Sequence, residues 1–318
     1  MGDYLKETLL EELKDERRLC YVYPLYNLKY EGPEIVLSRG LSLMPIGNTL
    51  LLELGKSLPF IPRAFEKVTC VIKRTYHMRP DGGFWWITVV GAGTQLLIRD
   101  LLAALRLFRA GSIQLGPQIQ SYWLRNWFKR NTIWGDIFYL EPRSISGMDE
   151  GVLNTSGALD FKRFWHRFRR TRPTKALRIA VLRFDLAYRN EDPEERLIDY
   201  VVALEALYTG DIQELAYKLA LRAAFFLGKT KEDRNNIFHI LKKAYAVRSQ
   251  IVHGQEPKDE FILQTGRILD IYGLVKEVEE ILRQSIKKLI DLPDLLKAPN
   301  LQESLDQIVL DSSRTSDG

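Results

Sequence analysis

The feature that most constrains this fold is a change in the spacing of apolar residues partway along the chain. Up to about Pro142, short segments rich in Val, Ile, Tyr, Phe and Trp alternate with turn sequences that contain Gly and Pro. This composition is typical of β-strands. After the Gly-rich segment 147–157, apolar residues recur about every four positions, as in amphipathic helices. The sequence therefore predicts an α+β protein with a mixed, mostly β first half and an all-α second half.

The two halves are expected to be separate domains, because 318 residues exceed the usual size of one domain. We predict a β-rich mixed domain of unknown role at 1–147 and a helical bundle at 158–292. Residues 302–318, which are rich in Ser and Asp, are predicted to form a disordered tail. The helices predicted for the second half are Leu159–Arg170, Lys175–Tyr188, Pro193–Tyr208, Glu214–Leu227, Asp233–Val252 and Asp259–Ile290.

The first half is predicted to combine strands with one helix. Short apolar segments bounded by Gly and Pro residues indicate strands at Ile35–Leu37, Val68–Arg74 and Phe84–Val90, the last two joined by a Gly-rich turn. An amphipathic stretch at Thr94–Phe108 indicates a helix.

Composition narrows the classes of site that the chain can carry. Cys20 and Cys70 are the two cysteines, too few for a disulfide framework or a thiolate metal cluster, which favours a reducing compartment. No stretch of about 18 uncharged apolar residues occurs, so we expect a cytoplasmic protein without a membrane segment. The histidines show no metal-ligand spacing and no phosphate-binding Gly-rich loop ending in Lys-Ser/Thr is present, so we predict no metal and no cofactor. The net charge of +5 is compatible with a nucleic-acid partner.

The segment best suited to chemistry is Arg248–His253, at the end of a predicted helix. Arg248 lies on the apolar side of this helix, where a charge is costly unless it is paired or placed at a cleft. His253 occupies the last turn before Gly254, where the helix dipole favours a positive charge. The predicted buried stripe of the helix consists of four residues at helical spacing, Ile237, Leu241, Ala244 and Ile251.

A histidine and a fixed cation are the groups that RNA cleavage by 2′-hydroxyl attack requires. The histidine acts as a general acid or base, the cation stabilises the phosphorane oxygens, and no metal is needed. Five residues at about 100° each, however, place Arg248 and His253 about 140° apart around the helix. The length of arginine, distortion near Gly254 or a second copy of the helix could each bring the groups together, and we favour a homodimer.

The surrounding residues resemble the HEPN domains, specifically the Apea-like branch that is often found in prokaryotic defence and prophage-associated proteins. Arg248–Gly254 matches the R-S-x-x-x-H-G pattern of this branch. Two upstream segments, A-L-E-A-L-Y at Ala203–Tyr208 and L-A-L-R-A-A-F-F-L-G at Leu219–Gly228, occur at the expected distances. The resemblance covers about 100 residues of the second half, and no function carries over to the first half.

The resemblance implies a small helical bundle that dimerises, with the Arg and His of both copies in one cleft and metal-independent RNase activity, as in many members. Arg248 and His253 then take the catalytic roles, and Ser249 takes a weaker auxiliary one. A role as a defence or toxin effector is also implied. Glu205 is a further candidate, because a carboxylate among apolar neighbours needs a partner and Arg248 is the obvious one.

Basic residues elsewhere are candidates for RNA binding. The helix predicted at Leu159–Arg170 has one aromatic face and basic residues on its other faces, where Arg163, Arg167 and Arg170 could bind phosphates. Lys242, on the same helix as Arg248, is a fourth candidate. An equally good interpretation of the Leu159–Arg170 pattern is a core helix with a solvated basic face.

The alternative function is a non-catalytic HEPN module that binds RNA, nucleotide or a protein partner. In that case Arg248 pairs with Glu205 to stabilise the bundle, and His253 only caps a helix. Arg248 buried against Glu205 without a groove would favour this alternative. Both His253 rings in one open basic groove of a dimer would favour the nuclease.

Overall fold

A computed structural model describes the parts of the chain from which the fold is built: 18–46, 68–77, 84–116, 119–121, 133–134, 150–210, 214–258, 260–263 and 266–314. The chain divides into two compact units, the first comprising Met1–Ser144 and Met148–His166 and the second Ile145–Gly147 and Arg167–Gly318. A mainly antiparallel β-rich region precedes a helical region, which confirms the predicted α+β class.

The first unit is built on a seven-stranded sheet in which all pairs of strands are antiparallel. The strand order is β3-β4-β5-β1-β7-β8, and β6 pairs with the end of β1. Apolar side chains of the central strands, such as Val22 on β1 and Ile72 on β5, are fully buried. The strands of this sheet are β1 (Arg18–Tyr26), β3 (Ile35–Ser38), β4 (Leu41–Pro45), β5 (Cys70–His77), β6 (Gln114–Leu115), β7 (Ile119–Ser121) and β8 (Ile133–Trp134).

Two further strands and one long helix are described in the part of the first unit that precedes residue 155. Strand β2 (Leu28–Glu31) pairs in parallel with β9 (Gly151–Asn154). Helix α1 spans Phe84–Phe108. The prediction of a strand at Phe84–Val90 is therefore wrong, because these residues form the first turns of α1. Aromatic and β-branched residues favour strands only weakly, and the context of a long apolar helix overrides that preference here.

Helix α2 (Thr155–Arg170) belongs to the first unit as far as His166. The ring centroid of Phe108 on α1 lies 5.5 Å from that of Phe161 and 5.8 Å from that of Phe164, so the aromatic face of α2 packs against α1. The structure therefore divides the chain within α2, after His166, whereas the sequence suggested a division before this helix. Residue 147, the predicted end of the first domain, lies outside the described residues.

The second unit is a helical bundle whose core is built from α3, α4, α5, α6 and α7. Two tyrosines of α4, Tyr200 and Tyr208, are fully buried in it. Helix α4 spans the residues predicted for it, since Asp192 caps its first turn and Pro193 begins it. The helices of this unit are α3 (Lys175–Ala187), α4 (Pro193–Tyr208), α5 (Leu215–Leu227), α6 (Lys231–Val252), α7 (Ile271–Asp291), α8 (Pro293–Lys297) and α9 (Leu301–Arg314).

The single helix predicted at Asp259–Ile290 is wrong in its first part. A short hairpin precedes α7, formed by β10 (Phe261–Ile262) and β11 (Ile268–Leu269). Gly266 has a φ of +79°, a left-handed conformation that a continuous helix does not contain. Asp270 then caps α7 by accepting a hydrogen bond from the backbone N–H of Gly273. Asp259 itself lies outside the described residues.

The predicted disordered tail at 302–318 is also wrong as far as residue 314, because Leu301–Arg314 forms α9. Leu301 and Leu305, four residues apart, are buried on one face of this helix. Asp306 accepts two hydrogen bonds from the guanidinium of Arg222 on α5, at 2.7 and 2.8 Å. Apolar anchoring and a bidentate ion pair therefore hold a segment whose polar composition suggested disorder. Residues 315–318 lie outside the described part of the chain.

Among the described residues, no helix combines the length and the apolar composition that crossing a membrane requires.

Candidate active site

Helix α6 presents the candidate residues at its C-terminal end, and the way it ends positions His253. The backbone N–H of Gly254 donates to the carbonyl of Ile251, and that of Gln255 donates to the carbonyl of Gln250, both at 2.9 Å. This is the Schellman pattern, and Gly254 adopts the left-handed φ of +73° that it requires. The helix therefore ends at His253, which is exposed at the C-cap position.

Arg248 lies at the border of the apolar face of α6. Leu241 and Ala244 are buried as predicted, whereas Ile237 and Ile251 are only half-buried. The buried face also contains Ile240 and Val247, so its centre is rotated slightly from the predicted stripe. The Arg248 side chain consequently remains 25% exposed and is not fully enclosed.

Arg248 faces Glu205 of the neighbouring helix α4. The Nη2 atom of Arg248 lies 3.9 Å from Oε2 of Glu205, which is within ion-pair range but too long for a hydrogen bond. The Nε atom of Arg248 is buried, and no hydrogen-bond partner for it exists in the described structure. The ion pair predicted between Arg248 and Glu205 is present, but the Nε of Arg248 forms no hydrogen bond in the described structure.

Tyr245 is a member of this cluster that the sequence analysis missed. Burial, followed by the nearby Glu205 carboxylate, raises the pKa of Tyr245. Tyr245 precedes Arg248 by three residues, so the two side chains are neighbours on the helix surface. That spacing is the signal that could have identified Tyr245. Glu205 therefore lies close to both Tyr245 and Arg248.

The remaining predicted site residues are not brought together with this cluster within one chain. Ser249 is half-buried on the turn that follows Arg248. In the described structure, no side-chain hydrogen bond or ion pair joins His253 to Arg248 or Glu205. This separation agrees with the expected angle of about 140° between Arg248 and His253 around the helix.

The four RNA-binding candidates all have accessible side chains. Arg163 forms an ion pair with Asp160 on its own helix. The Nε atom of Arg167 lies 2.8 Å from a carboxylate oxygen of Asp291. Arg170 and Lys242 are exposed. The aromatic face of α2 is buried, as expected for a core helix, and the basic residues on its other faces are accessible. Both interpretations of this helix are compatible with that arrangement, and phosphate binding by its arginines stays a prediction.

A second polar cluster, not foreseen from the sequence, lies in the core of the bundle. Glu279 of α7 is only 5% exposed and is contacted by two buried arginines, Arg196 of α4 and Arg283 of α7. The hydroxyls of Tyr188 and Tyr200 donate to its carboxylate at 2.7 and 3.0 Å. Burial, followed by the charge of Glu279, raises the pKa of Tyr200.

This buried cluster has a structural role. The Glu279 carboxylate accepts from four donors, which belong to α4, to α7 and to Tyr188 at the end of α3, so no acceptor capacity is left for a substrate. The Nε atom of Arg196 is buried without a partner in the described structure, as is that of Arg248, but the Arg196 side chain is only 3% exposed, whereas the Arg248 side chain is 25% exposed. The Arg248 cluster is therefore the candidate active site.

Within the described part of the chain, no group of three or more His, Cys, Asp and Glu residues is arranged to hold a metal ion. No family model matches the chain, and comparisons with curated proteins and with solved structures likewise gave no significant match.

Proposed function

We propose that this protein is a cytoplasmic, metal-independent endoribonuclease that works as a homodimer, with Arg248 and His253 of both subunits at one cleft. The proposal rests on the suitability of these residues for 2′-hydroxyl chemistry, on the HEPN-like pattern Arg248–Gly254 and on the state of Arg248 in the bundle. A role as a defence or toxin effector is part of the same proposal.

In the proposed reaction the 2′-oxygen attacks the adjacent phosphorus while one His253 accepts the hydroxyl proton. A bond forms between the 2′-oxygen and phosphorus, and the bond from phosphorus to the 5′-oxygen breaks. The partner's His253, in its protonated form, donates a proton to the leaving 5′-oxygen. Arg248 stabilises the charge on the non-bridging oxygens. The products are a 2′,3′-cyclic phosphate and a 5′-hydroxyl, and proton exchange with water restores both histidines.

The observation that carries the proposal is the incomplete pairing of Arg248. An arginine that only stabilised the bundle would be expected to form a bidentate pair at hydrogen-bond distance. Here the nearest Glu205 oxygen is 3.9 Å away, Nε has no partner in the described structure and the side chain is partly exposed. The buried Nε is out of reach of a phosphate, so the Nη groups of this partly exposed side chain are the donors that we assign to it.

The separation of His253 from Arg248 favours a site completed by a second subunit. Exposed apolar residues follow His253 closely in the sequence and could form the interface. Ile262 and Ile268 are direct partners in the β10–β11 hairpin and are 67% and 55% exposed. We assign this exposed cross-strand pair of isoleucines to the surface that the second subunit covers.

Disrupting this hairpin surface is expected to weaken the dimer. Replacing both isoleucines by aspartate, Ile262→Asp and Ile268→Asp, should raise the dissociation constant of the dimer at least about 30-fold, the effect of losing one interface hot spot. RNA cleavage should fall in parallel, and both can be measured by light scattering and activity at matched concentrations. Leu182→Asp is the control, because Leu182 is also exposed but lies on α3. Unchanged association of the hairpin variant would contradict this interface.

The proposed reaction is tested by incubating the purified protein with single-stranded RNA in excess chelator. We expect cleavage that leaves 2′,3′-cyclic phosphate ends and that stops when the substrate carries 2′-O-methyl groups. Cleavage of the methylated strand, 3′-hydroxyl products or a requirement for added metal would contradict the mechanism.

The alternative, a non-catalytic module that binds RNA, nucleotide or a protein partner, is favoured by one observation. Glu205, Tyr245 and Arg248 join α4 to α6 within the bundle, which is what a purely structural cluster would do. On this alternative the wild-type protein cleaves no RNA, and Arg248→Ala lowers thermal stability or dimerisation. The same cleavage assay, run beside thermal unfolding, distinguishes the two functions.

A further inference from the structure

One exposed side of α6 runs from His253 back toward the start of the helix. Lys242 and His253 are both exposed, and they are eleven residues apart in the sequence. Eleven residues make about three turns of an α-helix, so the two side chains leave α6 within about 20° of each other and about 16 Å apart along its axis. A ligand that extends from His253 along this side of α6 therefore meets Lys242.

An aromatic pair lies beside Lys242. Tyr217 of α5 is 49% exposed, and its ring centroid lies 5.6 Å from that of Phe238 on α6, with the two rings nearly perpendicular. The Nζ atom of Lys242 lies 5.6 Å from the centre of the same Phe238 ring. Because edge-to-face contact is a favourable geometry for aromatic rings, Phe238 holds the partly exposed Tyr217 ring close to Lys242.

The two helices that form this surface carry a positive charge. Neither α5 nor the part of α6 at 234–252 contains an Asp or a Glu. Together they contain six basic residues, which are Lys218, Arg222, Arg234, Lys242, Lys243 and Arg248. Two of the six have acidic neighbours on other helices, since Arg222 pairs with Asp306 and Arg248 faces Glu205. The excess of positive charge favours an anionic ligand, and the exposed Tyr217 ring favours one with flat rings that can stack.

We propose that this side of α6, with Tyr217 of α5, binds a single-stranded stretch of the RNA substrate next to the bond that is cleaved. Lys242 contacts a backbone phosphate, and the Tyr217 ring stacks on a base. A single strand is needed because the bases of a duplex are stacked on one another and cannot be reached by a side chain in this way. The inference rests on the proposed function, because the active site at His253 fixes where the strand continues.

Fluorescence anisotropy with the full-length protein and a short 2′-O-methyl RNA measures this binding separately from cleavage, because the proposed reaction cannot cut the methylated strand. At constant ionic strength we expect the single strand to bind more tightly than the same sequence in a duplex. We also expect a strand of equal length without bases to bind more weakly than the intact strand. No binding of the single strand, or equally tight binding of the duplex or of the strand without bases, would overturn the proposal.

Two substitutions separate the phosphate contact from the stacking contact. Lys242→Gln should weaken binding of the single strand and reduce the steepness of its dependence on salt, in a plot of log affinity against log salt, by about 0.7, the value for one phosphate contact. Tyr217→Ala should weaken binding at least about fivefold and leave the salt dependence unchanged, because it removes stacking and no charge. Tyr217→Phe keeps the ring and should bind as wild type does. Lys297→Gln on α8 is the control for Lys242, because Lys297 is also exposed.

The binding results and the cleavage assay can fail independently. In that assay, Lys242→Gln and Tyr217→Ala should raise KM and leave kcat unchanged, because their contacts are the same in the bound substrate and in the transition state. If both substitutions weaken binding while the wild-type protein cleaves no RNA, the proposed reaction is wrong and the RNA-binding surface stands. If the wild-type protein cleaves RNA and either substitution leaves the affinity for the single strand unchanged, the reaction stands and the proposed path of the strand is overturned.

Discussion

Replacing Arg248 by alanine is expected to lower the rate of RNA cleavage at least about 100-fold, since one preorganised donor to a developing oxyanion typically contributes that much. Replacing His253 by alanine should lower the rate about 100- to 10,000-fold, the usual contribution of a general acid or base. Both rates are measured in excess chelator on one single-stranded RNA. Arg248→Lys should recover only part of the activity, because lysine keeps the charge and loses the planar fork of donors.

Two variants of matched residue type control for changes of charge or fold. Arg178→Ala removes an exposed arginine from α3, and His239→Ala removes a half-buried histidine from α6 itself. Both should cleave RNA at the wild-type rate. If Arg248→Ala and His253→Ala also cleave normally while remaining folded, the site has been assigned to the wrong residues.

The largest expected effect on stability comes from the buried cluster of the helical bundle. Replacing Glu279 by alanine leaves Arg196 and Arg283 in the core without their shared carboxylate, and leaves two tyrosine hydroxyls without an acceptor. Removing one partner of a buried ion pair typically costs about 3–5 kcal/mol of unfolding free energy. Urea denaturation of the variant and of wild type measures this difference.

Glu280 supplies the control for this loss of stability. It also pairs with Arg283, but its side chain is 46% exposed. Exposed ion pairs contribute little, so Glu280→Ala should cost less than about 1 kcal/mol. A similarly small cost for Glu279→Ala would mean that the cluster does not hold the helices together.

The predictable parts of the fold are those where local signals and tertiary packing agree. Helix α4 carries an Asp cap and a Pro at its first position, and α6 ends at a Gly that adopts a left-handed conformation. Local signals failed in two other places. The β-branched and aromatic residues of Phe84–Val90 lie in a helix, and the polar tail is ordered because Leu301 and Leu305 are buried.

The candidate site was partly predictable for the same reason. Charge and helical spacing were enough to pair Arg248 with Glu205, and Tyr245 lies at a spacing that would have completed the cluster. The network around Glu279 combines residues more than 70 positions apart in sequence, such as Tyr200 and Glu279. No local pattern connects such residues, since their contact depends on how the helices pack.

The central claim, that two subunits complete one active site, is tested most directly by a mixed dimer. One subunit is wild type, the other carries His253→Ala, and tandem affinity tags isolate the heterodimer from both parents. Because one reaction uses the histidines of both subunits, the heterodimer should be about as inactive as the His253→Ala homodimer. A heterodimer that cleaves RNA at about half the wild-type rate, as two independent sites would, would contradict the claim.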